Sequence, residues 1–501
     1  MLNKIEEVVK KKREGTTMET ALEGSFLILC ADGAVHPHIQ ACDQNVITYS
    51  MTLSSSYLMN ECGFYPTSGA HILPHVQLRG KENAETLRAV MKWRHTDLPA
   101  SLEGLLGLED CHVYDLADGK ALYLMLDHSH WQCNNHPYLL CKCNRGDHAN
   151  CEGIISDEEY IRLVQESEKQ WNNRESLTED RREFGNGTPY SWNVHKKWCE
   201  HENFGIRHTG AMPTDYKISL IRFDVFHSRS AIVKVITKYI RNLFEGLPRN
   251  VTLFAAFLKK LPSWDSYVID PWISNGPNSR LKGRHTASFT NNIPQCIILL
   301  KDIAPAAMVN SLCECLSAFF AMSKILSFMR IDQFDLVQHV LPSNTDVSAE
   351  STPEDVAKAV HDAYEQLAKK LREHGLRSFM TNRRTGDKET FYVHVLTNYI
   401  PGIMRETYKR HKLGVGIFSM EGFEYKNYTS KQVLNNRTHG KIRSNIVLQS
   451  MRVLQLLFNC SYFDPVAEMK RRKVMDERRV ELYKKAVNDD NDTASPLLQQ
   501  V

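Results

Sequence analysis

The sequence contains no run of about 18 uncharged apolar residues, the length a helix needs to cross a bilayer. Its first residues, Met1, Leu2, Asn3 and Lys4, lead into charge rather than into the apolar core of a signal peptide. Both absences set the expectation of an intracellular protein with no membrane partner. The 13 cysteines are an odd number. Without a secretion signal they read as thiols or metal ligands, not as a disulfide framework. No internal repeat of about 20–50 residues and no phosphate-cradling glycine loop is found, which sets aside solenoids and glycine-loop nucleotide enzymes. An excess of one charge is missing too: the net charge is +3, so the overall balance does not announce nucleic acid.

What is present is a chain of 501 residues with 42% hydrophobic content, enough for two or three domains with sizeable cores. Residues 1–24 read as a short leader helix and linker, too short for a folded DNA-reading module. The apolar run 25–31 reads as a buried strand with Asp32 at its exit. Further strands are expected at 46–53, 70–78, 111–116 and 216–223, with helices at 82–92, 120–126 and onward from Asp224 to about Phe244. Residues 246–390 read as a helical insertion, including helices at 309–329 and 354–373. Cys313 and Cys315 there belong to an apolar stripe and read as packing. Residues 391–465 return to the α/β core, and 466–501 form a charged tail.

Acidic residues at strand ends are the first candidates for chemistry. Asp32 and Asp118 each sit at the end of an expected strand, and Asp115 rivals Asp118 three residues earlier. Two acids leaving the same edge of a sheet can share a metal; turn chemistry is the other reading of each Asp-Gly pair. Cys133, His136, Cys141, Cys143, His148 and Cys151 all fall within the loop 127–153, a density of thiolates and imidazoles that suits tetrahedral zinc. From Arg405 to Arg443 there are nine Lys or Arg against three acids, Glu406, Glu421 and Glu424. A few carboxylates in a basic field fit a metal enzyme acting on a phosphate backbone, and a solvated basic face is the alternative. Ser419 is placed to cap a helix whose first turns put Glu421, Glu424 and Asn427 on one side.

Taken together, the order of strand with Asp32, strand with Asp118, Cys-rich loop, Asp224-x-x-His227 helix, helical insertion and Glu424 resembles the RNase H-like transposases with an acidic triad. Within them it is similar to the catalytic core of the recombination-activating recombinase, its Transib relatives and the hobo-type enzymes. The Asp32-Gly33 turn resembles the setting of their first catalytic aspartate. Asp118, followed by Gly119 and Lys120, is similar to the second, and Glu421-Gly422-Phe423-Glu424 with Asn427 is similar to the segment that carries the glutamate.

The resemblance implies an RNase H-like mixed sheet flanked by helices and interrupted by a large helical insertion. It implies DNA strand cleavage and transfer, with Asp32, Asp118 and Glu424 holding Mg2+ or Mn2+. Arg410, Lys426 and Lys431 would contact phosphates. A structural zinc would take Cys141, Cys143 and His394, with Tyr399 standing where the family has a second His. The fourth ligand is then either missing or taken over by Cys151 or His148. Asp224 and His227 keep an open role, His227 also fitting a core histidine. DNA as partner, a homodimer and a nuclear location follow from the same resemblance. The alternative is a catalytically inactive, domesticated or truncated relative that binds DNA or protein.

Overall fold

The computed structural model describes residues 16–35, 45–80, 112–128, 138–143, 151–174, 190–208, 215–245, 283–303, 306–373, 391–436 and 451–456, with scattered residues at 5–10, 91, 98, 136, 212, 458 and 469–481. The expected helix 82–92, apart from Met91, and His148 lie outside them, as do the side chains of Asp32, Asn427 and Lys431. The chain forms two compact units, Met1–Asp224 with Ile417–Met469, and Val225–Gly416 with Lys470–Val501.

The first unit is α/β. After α1 (Met18–Leu22) come β1 (Phe26–Val35), β2 (Asn45–Ser54), α2 (Ser56–Asn60) and β3 (Leu73–Gly80). Then follow β4 (His112–Ala117), α3 (Gly119–Met125), α4 (Asp157–Asn172), α5 (Trp192–Glu202) and β5 (Ile221–Phe223). The sheet order is β3-β2-β1-β4-β5. Antiparallel pairing joins β1 to β2 and β2 to β3, while β4 runs parallel to β1 and β5 parallel to β4. This is the strand order and direction of an RNase H-like sheet.

The central strand explains why the sheet closes around β1. Phe26, Leu27, Ile28, Leu29 and Cys30 are all buried, so both faces of β1 are covered, as an unbroken apolar run requires. Each large side chain so buried contributes about 1.5–3 kcal/mol. On one face Leu27, Leu29 and Val113 join a core with Ile5, Leu22 and Leu58. On the other, the Tyr114 ring lies 6.3 Å from Phe26 and meets Phe418 edge-on at 5.4 Å. The Arg222 guanidinium, itself buried, covers Tyr114 at 4.2 Å from the ring centroid.

Two expected strands have other bounds. β1 does not stop at Ala31. All ten of its residues pair with β2, Asp32 opposite Thr48, so Asp32 lies inside the strand rather than at its exit. The expected strand 216–223 shrinks to three residues. Residues Ile218–Leu220 make a 3-10 turn instead, because Asp157 takes the Ser219 amide at 2.8 Å and its hydroxyl at 2.7 Å, drawing that backbone away from the ladder.

The second unit is helical: α6 (Val225–Glu245), α7 (Gly283–Asn291), α8 (Ile293–Ile303), α9 (Ala306–Ile325), α10 (Pro353–Glu373), α11 (Phe391–His394) and α12 (Ile400–His411), with a π turn at Val395–Tyr399. Residues Ile232, Val233, Ile236 and Ile240 make the buried stripe of α6 at helical spacing. Cys313 and Cys315 of α9 are buried, and burial pushes the Cys313 thiol up. The π turn frees carbonyls that the ordinary ladder would satisfy. Tyr364 donates to the Leu396 carbonyl at 3.0 Å and Arg372 to that of Thr397 at 3.1 Å. No described helix is long and apolar enough to cross a membrane.

Candidate active site and cysteine cluster

The register of three parallel strands brings three aspartates into line. β1 and β4 are last paired at Cys30 and Leu116; two residues further along the same alignment stand Asp32 and Asp118. β4 and β5 are last paired at Ala117 and Phe223; one residue further stand Asp118 and Asp224. Carboxylates at one level of neighbouring strands can converge on a shared cation, since adjacent strands lie about 4.8 Å apart.

Asp118 has two duties. It is the N-cap of α3, its Oδ1 accepting the Ala121 amide at 2.8 Å, and Oδ2 accepts no hydrogen bond among the described residues. Turn chemistry and a free oxygen therefore coexist in one carboxylate. Asp115, the rival, pairs with Leu29 and lies on the face of Leu27 and Val113, opposite Tyr114. Its carboxylate is 1% exposed and accepts the Tyr216 hydroxyl at 3.0 Å, a buried structural bond.

Glu424 belongs to α13 (Glu421–Asn436), which packs against β1 and the turn Gly69–His71. Its amide donates to the Met420 carbonyl at 2.8 Å, closing the first turn, and its side chain is partly buried. The expected cap is weak: the Ser419 hydroxyl accepts the Glu421 amide only at 3.4 Å. The shorter bond comes from Asp224, whose Oδ1 accepts the Met420 amide at 2.8 Å. No local signal in the sequence could have paired residues 196 positions apart.

Several other predicted residues are placed less simply. Lys426 is 9% exposed with its ammonium 5.8 Å from the Phe458 ring, which offers little to a phosphate. Arg410 is paired with Glu406 at 2.9 Å, four residues back on α12. His227 lies in the first turn of α6, its ring 5.5 Å from that of Phe226. Asn427 and Lys431 are carried on α13.

The cysteine-rich loop folds back on itself. The Ile155 amide donates to the Leu140 carbonyl at 2.8 Å and so brings residue 151 beside 141 and 143. Hydrogen bonds among the three thiols, Cys141 and Cys151 acting on Cys143, together with burial, push the Cys143 thiol well above its ordinary range. The Gly153 amide donates to Cys151 Sγ at 3.4 Å, a turn that Gly153 permits by adopting φ +93°. The sulfur atoms of Cys141, Cys143 and Cys151 all lie within 4.8 Å of one another, a thiol set that can help to hold a zinc ion. His394 is buried, with Nδ1 3.1 Å from the Asn398 amide and its ring edge-on to Tyr399.

Sequence reasoning left His208, Trp192, Trp198, His201 and Cys199 without a role. Two of them, His208 and Cys199, meet in a buried polar network that no recognisable spacing announces. Ser167 Oγ lies 3.1 Å from His195 Nε2, 3.1 Å from His208 Nδ1 and 3.5 Å from Cys199 Sγ. His195 Nδ1 completes the network on the Tyr190 hydroxyl at 2.9 Å. With its hydrogen bonds met and its ring among Trp171, Trp192 and Trp198, His195 is a packed core histidine.

Fold and site thus define an RNase H-like α/β domain with a row of aspartates along its parallel strands, together with a thiol cluster. No protein-family model matches the chain, and no curated protein matches it.

Proposed function

We propose that this protein is a transposase-like enzyme that cleaves and joins DNA strands with Mg2+ or Mn2+ held by Asp32, Asp118 and Glu424. The observation that carries this reading is the alignment of Asp32 with Asp118 on parallel strands, with the Glu424 helix packed on the strand of Asp32. When bound, the metal supplies Lewis acidity at the attacking and leaving oxygens of the phosphodiester. Asp118 offers Oδ2 while Oδ1 stays on the Ala121 amide, so the helix cap fixes the carboxylate's direction. Acids gathered at one site repel each other, which favours cation binding there. Arg410 and Lys431 are the candidates for backbone phosphates; Lys426 acts through packing. DNA as substrate accords with a nuclear protein, and paired subunits would hold two DNA ends.

The cysteine cluster takes a structural zinc in this reading. Cys141 and Cys151 both hydrogen-bond to Cys143, so the three sulfur atoms already stand close enough to share one metal ion, which would take the place of their protons. An amide already donating to Cys151 Sγ fits a thiolate better than a thiol. Cys141, Cys143 and Cys151 are the ligands that the loop supplies.

The test is Mg2+-dependent cleavage of a DNA substrate by the unsubstituted chain and by Glu424→Gln. Loss of cleavage in a folded variant supports the triad. Cleavage that survives the substitution sinks it, and Mn2+ binding without cleavage in the unsubstituted chain would favour an inactive DNA-binding relative.

A further inference from the structure

We infer that Asp224 is a positioning residue, which holds the start of the Glu424 helix at the level of Asp32 and Asp118. The inference rests on the catalytic reading above and adds a residue to it.

Two hydrogen bonds run through one residue, Met420. Asp224 Oδ1 accepts the Met420 amide at 2.8 Å, and the Met420 carbonyl accepts the Glu424 amide at 2.8 Å. Asp224 is therefore two hydrogen bonds from the backbone of Glu424. It is also one residue past β5, in line with Asp118. A carboxylate anchored to the sheet in this way sets both the height and the entry of α13.

The chemistry of a helix start favours this choice of partner. Amides in the first turn have no carbonyl partner within the helix and carry partial positive charge, so an anion satisfies them best. Asp224 is 1% exposed, so solvent does not compete for that bond. Ser419, the local alternative, holds its amide only at 3.4 Å. The long-range contact is the tighter one, and it links the helix of the glutamate to the strands of the aspartates.

A cap that merely added stability would leave metal affinity alone once the protein is folded. A positioning residue moves Glu424 when it is lost. The experiment compares Asp224→Ala, which removes the acceptor, with Asp224→Asn, which keeps Oδ1 and removes only charge. Mn2+ affinity is measured by calorimetry on zinc-loaded protein, beside the unsubstituted chain and Glu424→Gln. Loss of a residue that orients a ligand weakens metal binding about 10–100-fold, so Asp224→Ala should weaken it at least about tenfold while Asp224→Asn stays within about threefold. Hydrogen exchange of the Met420 amide supplies the second readout. It should be slow in the unsubstituted chain and in Asp224→Asn, and become fast in Asp224→Ala while the β1 amides stay protected.

Unchanged Mn2+ affinity in Asp224→Ala would overturn the positioning role while leaving the triad standing, provided Glu424→Gln has lost it. Equal loss in Asp224→Asn and Asp224→Ala would overturn it in favour of a direct charge effect. A Met420 amide that exchanges fast in the unsubstituted chain would overturn it whether or not Asp224→Ala folds. If the unsubstituted chain binds no Mn2+, or Glu424→Gln binds as well as it does, the catalytic reading fails and the inference with it.

Discussion

Gly422 and Thr67 are in closer contact than any side chain would allow: a Cβ on Gly422 would stand 2.2 Å from the Thr67 carbonyl oxygen. Gly422 lies between Glu421 and Glu424 in the first turn of α13, so this contact fixes how near that turn approaches the segment before the Gly69–His71 turn. Gly422→Ala must push the helix start away. We expect a loss of about 1–3 kcal/mol, the usual cost of overpacking, and weaker Mn2+ binding. Gly402→Ala is the control, since nothing lies within 4 Å of a Cβ there. It should be neutral or stabilising by up to about 1 kcal/mol. Urea unfolding of both variants checks the contrast, and equal midpoints would refute it.

The two aspartates of β4 should separate cleanly. Asp118→Asn should abolish Mg2+-dependent cleavage and weaken Mn2+ binding with little loss of stability, because the amide oxygen can still cap α3. Asp115→Ala should instead destabilise by about 1–3 kcal/mol, by leaving the buried Tyr216 hydroxyl without its acceptor. Metal affinity of the folded Asp115→Ala fraction should be unchanged. Loss of Mn2+ binding in Asp115→Ala alone would reverse the assignment.

Zinc content offers an independent check on the thiol cluster. Elemental analysis should find about one zinc per chain, lost in Cys143→Ser and kept in Cys313→Ala, whose thiol packs inside the helical unit. Because the ligands must lose protons, zinc should leave as the pH falls. Full zinc occupancy in Cys143→Ser would exclude Cys143 as a ligand.

The helical unit carries its own pH dependence. Burial, then the nearby Arg405 charge, hold His361 down to about 4 against an ordinary 6.5, with Asp362 opposing. The unfolded chain therefore binds a proton more readily between those values. Stability from neutral His361 is complete above pH 6.5 and is lost as the pH falls toward 4. His361→Gln should flatten that dependence in urea titrations at pH 7, 6 and 5. An unaltered slope would assign the effect to other groups.

Local composition made much of this readable. The apolar run of β1 announced a strand covered on both faces, and the spacing of Ile232, Ile236 and Ile240 announced the buried face of α6. The close grouping of Cys141, Cys143 and Cys151 announced a thiol cluster. Each depends on residues within a turn or two of one another. The end of β1 was misjudged because Asp32-Gly33 has turn composition. The ladder to β2 outweighs that preference by pairing every residue through Val35.

Residue identities by themselves determined that the chain carries buried strands, amphipathic helices, strand-end acids and clustered thiols, because hydrophobic period and ligand chemistry are properties of short stretches. Only the tertiary structure decided that Asp32, Asp118 and Asp224 fall in line, that Asp115 faces the other way, and that Asp224 rather than Ser419 holds the Glu424 helix. Those facts depend on strand register and on contacts across as many as 196 residues. Register shifted by one residue would send each side chain to the opposite face, and no local pattern encodes which distant partner a strand will choose.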